Sequence, residues 1–387
     1  MKTSTDRILT THVGSLPRSQ AVTVGIFAIE RAEDLDVEQH RREVAAAVIA
    51  VVGRQVAVGV DIVSDGEMSK LSYATYIKDR ISGFEGDSPR RVPADLEDYP
   101  SFLERQAKLG GTPTYRRPQC VGPIAVTDTQ PCETDIANLQ VAVNANRPTD
   151  AFMNAASPGV IALFQPNSHY PDHESYLYAL ADAMRTEYEA IVSAGFVLQL
   201  DSPDLGLGRH MMFKAETEEE YIRLANQHVD ALNYAVENIP SDMMRLHVCW
   251  GNYEGPHTHD APMSTVLPIA MRAKPQALLF EASNPRHAHE WATFVDAAAA
   301  GAIPDDKVLV PGVLDTTTHF VEHPELVAQR IETFARVVGR DRVIAGTDCG
   351  FSTFAGYAGI DTDVVYAKLG AMAEGAALAS SRLWGRS

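Results

Sequence analysis

The sequence predicts an α/β protein built as a closed (β/α)8 TIM barrel with a long excursion between its second and third strands. Three observations carry that expectation. Eight short β-rich runs alternate with helical patterns along 387 residues, which is the count and length of one barrel. Each run ends in a polar or glycine-rich turn. The residues with chemical potential fall at those carboxyl ends, which share one face in a parallel barrel.

In order, the runs are ILTTHVGS (8–15), VDIVSDGE (60–67), SPGVIALF (157–164), FVLQLDSP (196–203), RLHVCWG (245–251), ALLFEAS (277–283), KVLVPGVLD (307–315) and RVIAGTDCG (342–350). Between them lie segments such as HESYLYALADAMRTEYEAIVSAG and HPELVAQRIETFARVVG. Their apolar residues recur at helical spacing. They close on Gly195 and Gly339, where a helix C-cap needs positive φ. An open, doubly wound sheet is the competing architecture. The count of eight and the lack of a GxGxxG after the first run favour the barrel.

A single catalytic domain is therefore expected over 1–387, with 80–155 as an excursion inserted in it. That stretch is rich in proline and polar residues (DSPRRVPADLEDYPSF, GGTPTYRRPQCVGPIAV). It reads as a β-hairpin plus loops. It is a lid or binding arm on one reading, and a subunit contact or structural cover on the other.

Composition narrows the function. Hydrophobic residues make up 45% and charged residues 22%, with 33 basic and 51 acidic side chains and a net charge of −18. Such a surface repels a phosphate backbone, so nucleic acid is excluded as a partner. The opening MKTSTDRILTTHVGS lacks a signal-peptide apolar core. No apolar run reaches the roughly 18 residues of a membrane helix. The expectation is a cytoplasmic protein with no membrane partner; a homo-oligomer is compatible with the sequence. The cysteines at 120, 132, 249 and 349 are too sparse for a disulfide scaffold.

His247 and Cys249 stand two apart in a strand pattern, and residues i and i+2 of a strand share a face. Glu281 ends the next run and Cys349 the last. Two thiolates, an imidazole and a carboxylate suit zinc. From the residues alone a second reading stays open, in which the cysteines are small core hydrophobes and Glu281 pairs with Arg286. The His257/His259 and His287/His289 pairs sit in loop or helix-start sequence, where i and i+2 do not share a face. They read as loop-wall or surface residues.

These strand ends resemble the catalytic barrel of the cobalamin-independent methionine synthase family and its shorter relatives. Those relatives include methionine-synthase-like proteins and epoxyalkane:coenzyme M transferases. The resemblance runs through TTHVGSLPRS, DGE (65–67), LQLDSP (198–203), HVC (247–249), FEASN (280–284), PGVLD (311–315) and DCG (348–350). It implies zinc held by His247, Cys249, Glu281 and Cys349, and transfer of an alkyl group from a small donor to a small thiol. It also implies that Gly14 and Ser15 cradle the thiol's carboxylate or sulfonate, that Glu67 and Asp201 take its amino group, and that Arg117 lines the pterin side.

Two departures touch the donor half. The family's tryptophan after the third strand is absent from GVIALFQPNSHY, leaving Phe164 or Tyr170 to stack instead. The family's acid histidine is replaced by Thr317, with His319 nearest. His319 and Asp315 are thus the candidates for protonating the leaving group. Methyl transfer to a homocysteine-like thiol leads, with epoxide opening by a thiol such as coenzyme M beside it. A metal-free lyase of the uroporphyrinogen decarboxylase type and a non-catalytic thiol binder are the competing classes.

Overall fold

A computed structural model of the chain describes residues 1–89, 91–108, 116–356 and 359–385. Seven parallel strands form one sheet: β1 (Ile62–Val63), β2 (Asp150–Ala156), β3 (Val197–Asp201), β4 (Met244–Val248), β5 (Ala277–Phe280), β6 (Val308–Leu314) and β7 (Gly346–Thr347). They pair in sequence order. The run predicted as the first strand forms no regular strand. It contributes bridges instead, from Thr11 to Ile62 of β1 and from Thr10 to Ala345 beside β7. One segment thus pairs with both edges of the sheet, in the manner of a TIM-like barrel.

Inside the sheet, Leu9, Ile62, Phe152, Val197, Leu279, Val308, Val310 and Ile344 form a buried apolar layer. The helices pack outside it against a second, larger core. Gly195 and Gly339 both follow helices and both have φ of +88°. That is the conformation a residue without a Cβ adopts at no cost. Among the described residues no helix is long and apolar enough to cross a membrane.

One expected strand is a helix. SPGVIALF supplies Pro158–Phe164, a buried α-helix whose N-cap Ser157 accepts from the Val160 amide. The third strand is DAFMNAA, just before it. A short apolar run does not distinguish a buried strand from a buried helix. Ser-Pro at the start of the run is a helix-start signal.

The correction shortens the excursion. The helix Gln130–Asn146 and β2 both fall within 80–155 and belong to the barrel, so the departure from regular spacing runs from about 64 to 129. Within it a short antiparallel pair joins Phe84–Glu85 to Gln119–Cys120, with helices rather than a tight turn between the two strands. It is accompanied by the helices Ala94–Glu97 and Pro100–Lys108. The GGTPTY part of the excursion lies outside the described residues.

Candidate active site at the barrel mouth

Register places the candidate metal ligands. β3 and β4 run in parallel with Asp201 opposite His247. Alternation along β4 sends Arg245, His247 and Cys249 to the same side. Cys349 follows β7, across the mouth. The donor atoms of His247, Cys249 and Cys349 all lie within 4.8 Å of one another, and all three residues are buried. Glu281 follows β5 and stands beside them, with Oε1 3.7 Å from the Cys349 Sγ. Its Oε1 accepts from the Trp250 amide at 2.9 Å and its Oε2 from Asn284 Nδ2 at 2.6 Å. Arg286 is exposed and is not the partner of Glu281.

A polar pillar inside the barrel supports this cluster. Arg245, fully buried, donates to Gln199 Oε1 at 2.7 Å, Thr11 Oγ1 at 2.9 Å and the His12 carbonyl at 2.7 Å. Its guanidinium also lies 3.4 Å over the Phe152 ring. Gln199 donates to Asp201 Oδ1 at 2.7 Å. Asp201 Oδ1 in turn lies 3.3 Å from His247 Nδ1, and Asn154 holds its Oδ2 at 2.9 Å. A carboxylate on the far nitrogen of a ligating imidazole fixes the tautomer and raises basicity. Asp348 anchors the backbone that follows Glu281, accepting from the amides of Ala282, Ser283 and Asn284 at 2.8–3.0 Å.

The buried charges are unequal. The hydrogen bond from the Cys349 thiol, with His247 close by, brings Cys249 down to about 5 against the opposing effect of burial. The same hydrogen bond pushes Cys349 well up. Burial works against a charged His247, but hydrogen bonds to Asp201 and Cys249 outweigh it and lift the imidazole to about 10. Burial pushes Glu281 up to about 8. Two thiols, a carboxyl group and an imidazole converge out of water, with Asp201 behind the imidazole, and a divalent cation would take the place of the protons they share. The donors therefore fit zinc.

The cluster forms part of the floor of a cavity of about 590 Å³. Ser15, Glu67, Asp201 and Arg117 line it together with His247, Cys249 and Cys349. Gly14 is behind Ser15 with φ of +145°, and a Cβ there would come 2.3 Å from Asn154 Oδ1. A Cβ on Gly350 would come 2.0 Å from the Ser15 hydroxyl. Both glycines are thus required by close packing. Glu67 is a non-glycine residue in left-handed conformation, φ +56°, and such strain concentrates at functional sites. Its Oε2 is buried without a partner, and burial lifts its carboxyl to about 7.

The two acid candidates part company. Asp315 lines an adjoining cavity of about 400 Å³ together with Glu281 and Cys349. Its carboxylate is taken up by the hydroxyls of Thr317 at 2.8 Å and Thr318 at 2.6 Å. His319 is exposed, and its Nε2 accepts from the Asp361 amide at 3.3 Å. It lines neither cavity. Tyr170, considered for stacking, is tied instead by its hydroxyl to the Ile124 amide, whereas Phe164 lines the main cavity.

His257 and His287 take the loop-wall rather than the surface alternative. Both contact Asp260, at 3.0 and 2.9 Å, in a buried network behind the loop after β4. His259 pairs with Asp98 on the surface. Cys120 and Cys132 are buried in the outer core, away from the ligand cluster. Sequence reasoning missed Tyr73 and Asn252, both lining the cavity. Burial and the nearby Cys249 raise the Tyr73 phenol well above its usual range, so it stays protonated. Neither residue belongs to a strand-end motif, and no sequence signal pointed to them.

Comparisons with known proteins agree with this architecture. Residues 120–377 match the family model described as the cobalamin-independent synthase, catalytic domain. A methionine synthase from Saccharolobus solfataricus is 25% identical over 95% of this chain and 93% of its own length. One from Sulfolobus acidocaldarius is 22% identical over 88% and 85%. Among solved structures, the B12-independent methionine synthase from Shewanella sp. W3-18-1, in complex with selenomethionine, superposes with a TM-score of 0.73 at 19% identity, covering 98% of this chain and 99% of that one. That likeness establishes a shared fold. With the family model matching well over half of its length, the chain belongs to the cobalamin-independent synthase catalytic-domain family.

Proposed function

We propose that the protein is a zinc-dependent thiol S-alkyltransferase that transfers a methyl group to a homocysteine-like thiol. The observation that carries this is the convergence of His247, Cys249 and Cys349, with Glu281 beside them, on the floor of a cavity that also presents Glu67 and Asp201. The relatives named methionine synthase, aligned over nearly the whole chain, support it. A metal-free lyase leaves two buried cysteines and a carboxylate-buttressed histidine without a purpose.

His247, Cys249, Cys349 and Glu281 would hold the zinc. Bound there, zinc is a Lewis acid that lowers the proton affinity of a thiol and so supplies a nucleophile at neutral pH. The chain's own residues do the rest. Asp201 keeps Nε2 of His247 turned toward the sulfurs, with Cys349 Sγ 3.9 Å away. Glu67 presents an unpartnered buried carboxyl oxygen near Asp201, where an ammonium group would relieve the cost of burying it. Ser15 and the backbone at Gly14 offer a hydroxyl and a close-packed turn for the substrate's own carboxylate. Apolar side chains such as Phe164, Leu207 and Met211 line the cavity and keep water from the reacting sulfur. Fixing thiol and donor in one cavity supplies much of the remaining acceleration.

The test is a titration of the zinc-loaded protein with homocysteine and with coenzyme M, following proton release on sulfur binding. Homocysteine is expected to bind more tightly, because only it carries the ammonium group that Glu67 and Asp201 favour. Tighter binding of coenzyme M would replace methyl transfer by the epoxide-opening reaction.

A further inference from the structure

His257 and His287, from the two His-x-His pairs, are bound into a chain of buried polar contacts that the proposed reaction does not use. One end of the chain lies at the metal cluster. The Trp250 amide, next to Cys249, donates to Glu281 Oε1 at 2.9 Å. The fully buried Trp250 indole stacks on the His287 ring with 4.2 Å between centroids. The His287 imidazole meets a carboxylate on each side, Glu290 Oε2 at 2.7 Å from Nδ1 and Asp260 Oδ2 at 2.9 Å from Nε2. With acceptors on both nitrogens it carries both protons. Burial works against that charge, but the bonds to Asp260 and Glu290 outweigh it and lift the imidazole to about 10. A cation over an indole face is itself attracted to the ring.

The other end lies in the excursion. Asp260 Oδ2 also takes His257 Nδ1 at 3.0 Å. His257, in left-handed conformation with φ of +51°, stacks on Tyr253 at 4.4 Å and donates its amide to Asp95 Oδ2 at 2.8 Å. The Tyr253 hydroxyl lies 2.8 Å from both Asp95 oxygens. A Cβ on Gly251 would come 2.6 Å from the Tyr253 ring and one on Gly255 2.3 Å from it, so the loop after β4 is built around that side chain. Asp95 is fully buried. It belongs to the helix Ala94–Glu97, whose Leu96, with the preceding Pro93, lines the main cavity. His210 stands between the two aspartates, 3.3 Å from Asp260 and 3.7 Å from Asp95.

Apolar side chains of similar volume would join these loops at least as firmly as buried ions do. What bonded ions add is a fixed register between the groups they connect. We propose that this chain is a brace, with His287 and Asp95 as positioning residues, through which occupancy of the metal cluster and docking of the excursion's cavity wall support each other. The brace rests on the zinc-binding part of the proposed function. Such support is reciprocal. A loaded cluster fixes Cys249 and Glu281 and so keeps the wall docked, and loosening the wall weakens the metal.

The test reads two quantities on the full chain. Zinc affinity is measured by competition with a chelating dye. Hydrogen exchange of the helices Ala94–Glu97 and Pro100–Lys108 is measured by mass spectrometry with and without zinc. In the wild type those helices are expected to exchange about tenfold faster once zinc is stripped. His287→Gln should weaken zinc about tenfold, as loss of a ligand's support does, and should abolish the zinc-dependent part of the protection. Asp95→Asn, and Tyr253→Phe, which keeps the ring, should each weaken zinc about fivefold, although Asp95 is no ligand. His259→Gln cuts the surface contact of the same wall through Asp98 and should leave zinc affinity unchanged. Wild-type zinc affinity in both Asp95→Asn and Tyr253→Phe, an equal loss in His259→Gln, or a wall equally protected with and without zinc would overturn the brace and leave the thiol-alkylation reading standing. A wild type that binds no zinc overturns both. If the coupling is found while no thiol is alkylated by any donor, the brace stands and the proposed reaction falls.

Discussion

Glu67→Gln separates the cost of the candidate site from its use. Glu67 is buried in a left-handed turn with one carboxylate oxygen unpartnered. Burial, opposed by Lys70 and reinforced by Asp201, raises its pKa from 4.5 to about 7. An acid whose folded pKa exceeds its unfolded value contributes stability that is present below pH 4.5 and lost as the pH climbs through about 7. At about 1.4 kcal/mol per tenfold change in proton affinity, the whole span is ~3 kcal/mol.

The neutral amide avoids that loss. Glu67→Gln should therefore be more stable than the wild type by up to ~3 kcal/mol at pH 8, with the gain shrinking to ~1 kcal/mol at pH 5.5. Thermal unfolding followed by circular dichroism at both pH values reads this as a Tm raised by a few degrees at pH 8. The same variant should bind methionine, which carries the ammonium group but no thiol proton, at least tenfold more weakly. In the wild type, methionine affinity should fall as the pH drops below about 7, and in Glu67→Gln it should be flat. A variant less stable than wild type at pH 8, or one with unchanged methionine affinity, would refute the reasoning.

Two further expectations concern the ligands and their support. Cys249→Ser or Cys349→Ser should lose most of the zinc while the far-ultraviolet spectrum remains that of the folded barrel, whereas Cys120→Ala and Cys132→Ala should keep about one zinc per chain, as measured by metal analysis. Asp201→Asn should retain zinc but weaken homocysteine and methionine roughly tenfold by calorimetry, because it removes a charge from the amino-group pocket.

Much of the site was legible because strand alternation is a strict rule. The spacing of His247 and Cys249 places both on one face, and strand-end positions bring Cys349 and Glu281 to the same mouth. Asp201 was legible as a mouth carboxylate. Its contact with His247 depends on the β3–β4 register, which the sequence does not carry. The Arg245–Gln199 pillar is invisible for the same reason, since an arginine in a β-rich run reads as an outward side chain until closure of the sheet traps it. SPGVIALF misled because burial on all sides erases the helical period. His319 is close to the PGVLD motif in sequence, yet the structure turns it outward beside Asp361. Arg117 was legible as a cavity residue, whereas Arg91 and Arg105 were not, because they reach the cavity only through the fold of the excursion.

The proposed function requires that a thiol be alkylated at the Cys249–Cys349 centre. It is tested most directly by incubating the zinc-loaded protein with homocysteine and a panel of methyl donors and epoxides, then detecting the product by mass spectrometry. The expected result is methionine, formed by the wild type with at least one methyl donor and not by Cys249→Ser. Homocysteine left unconsumed with every donor, or an equal yield from Cys249→Ser, would contradict it.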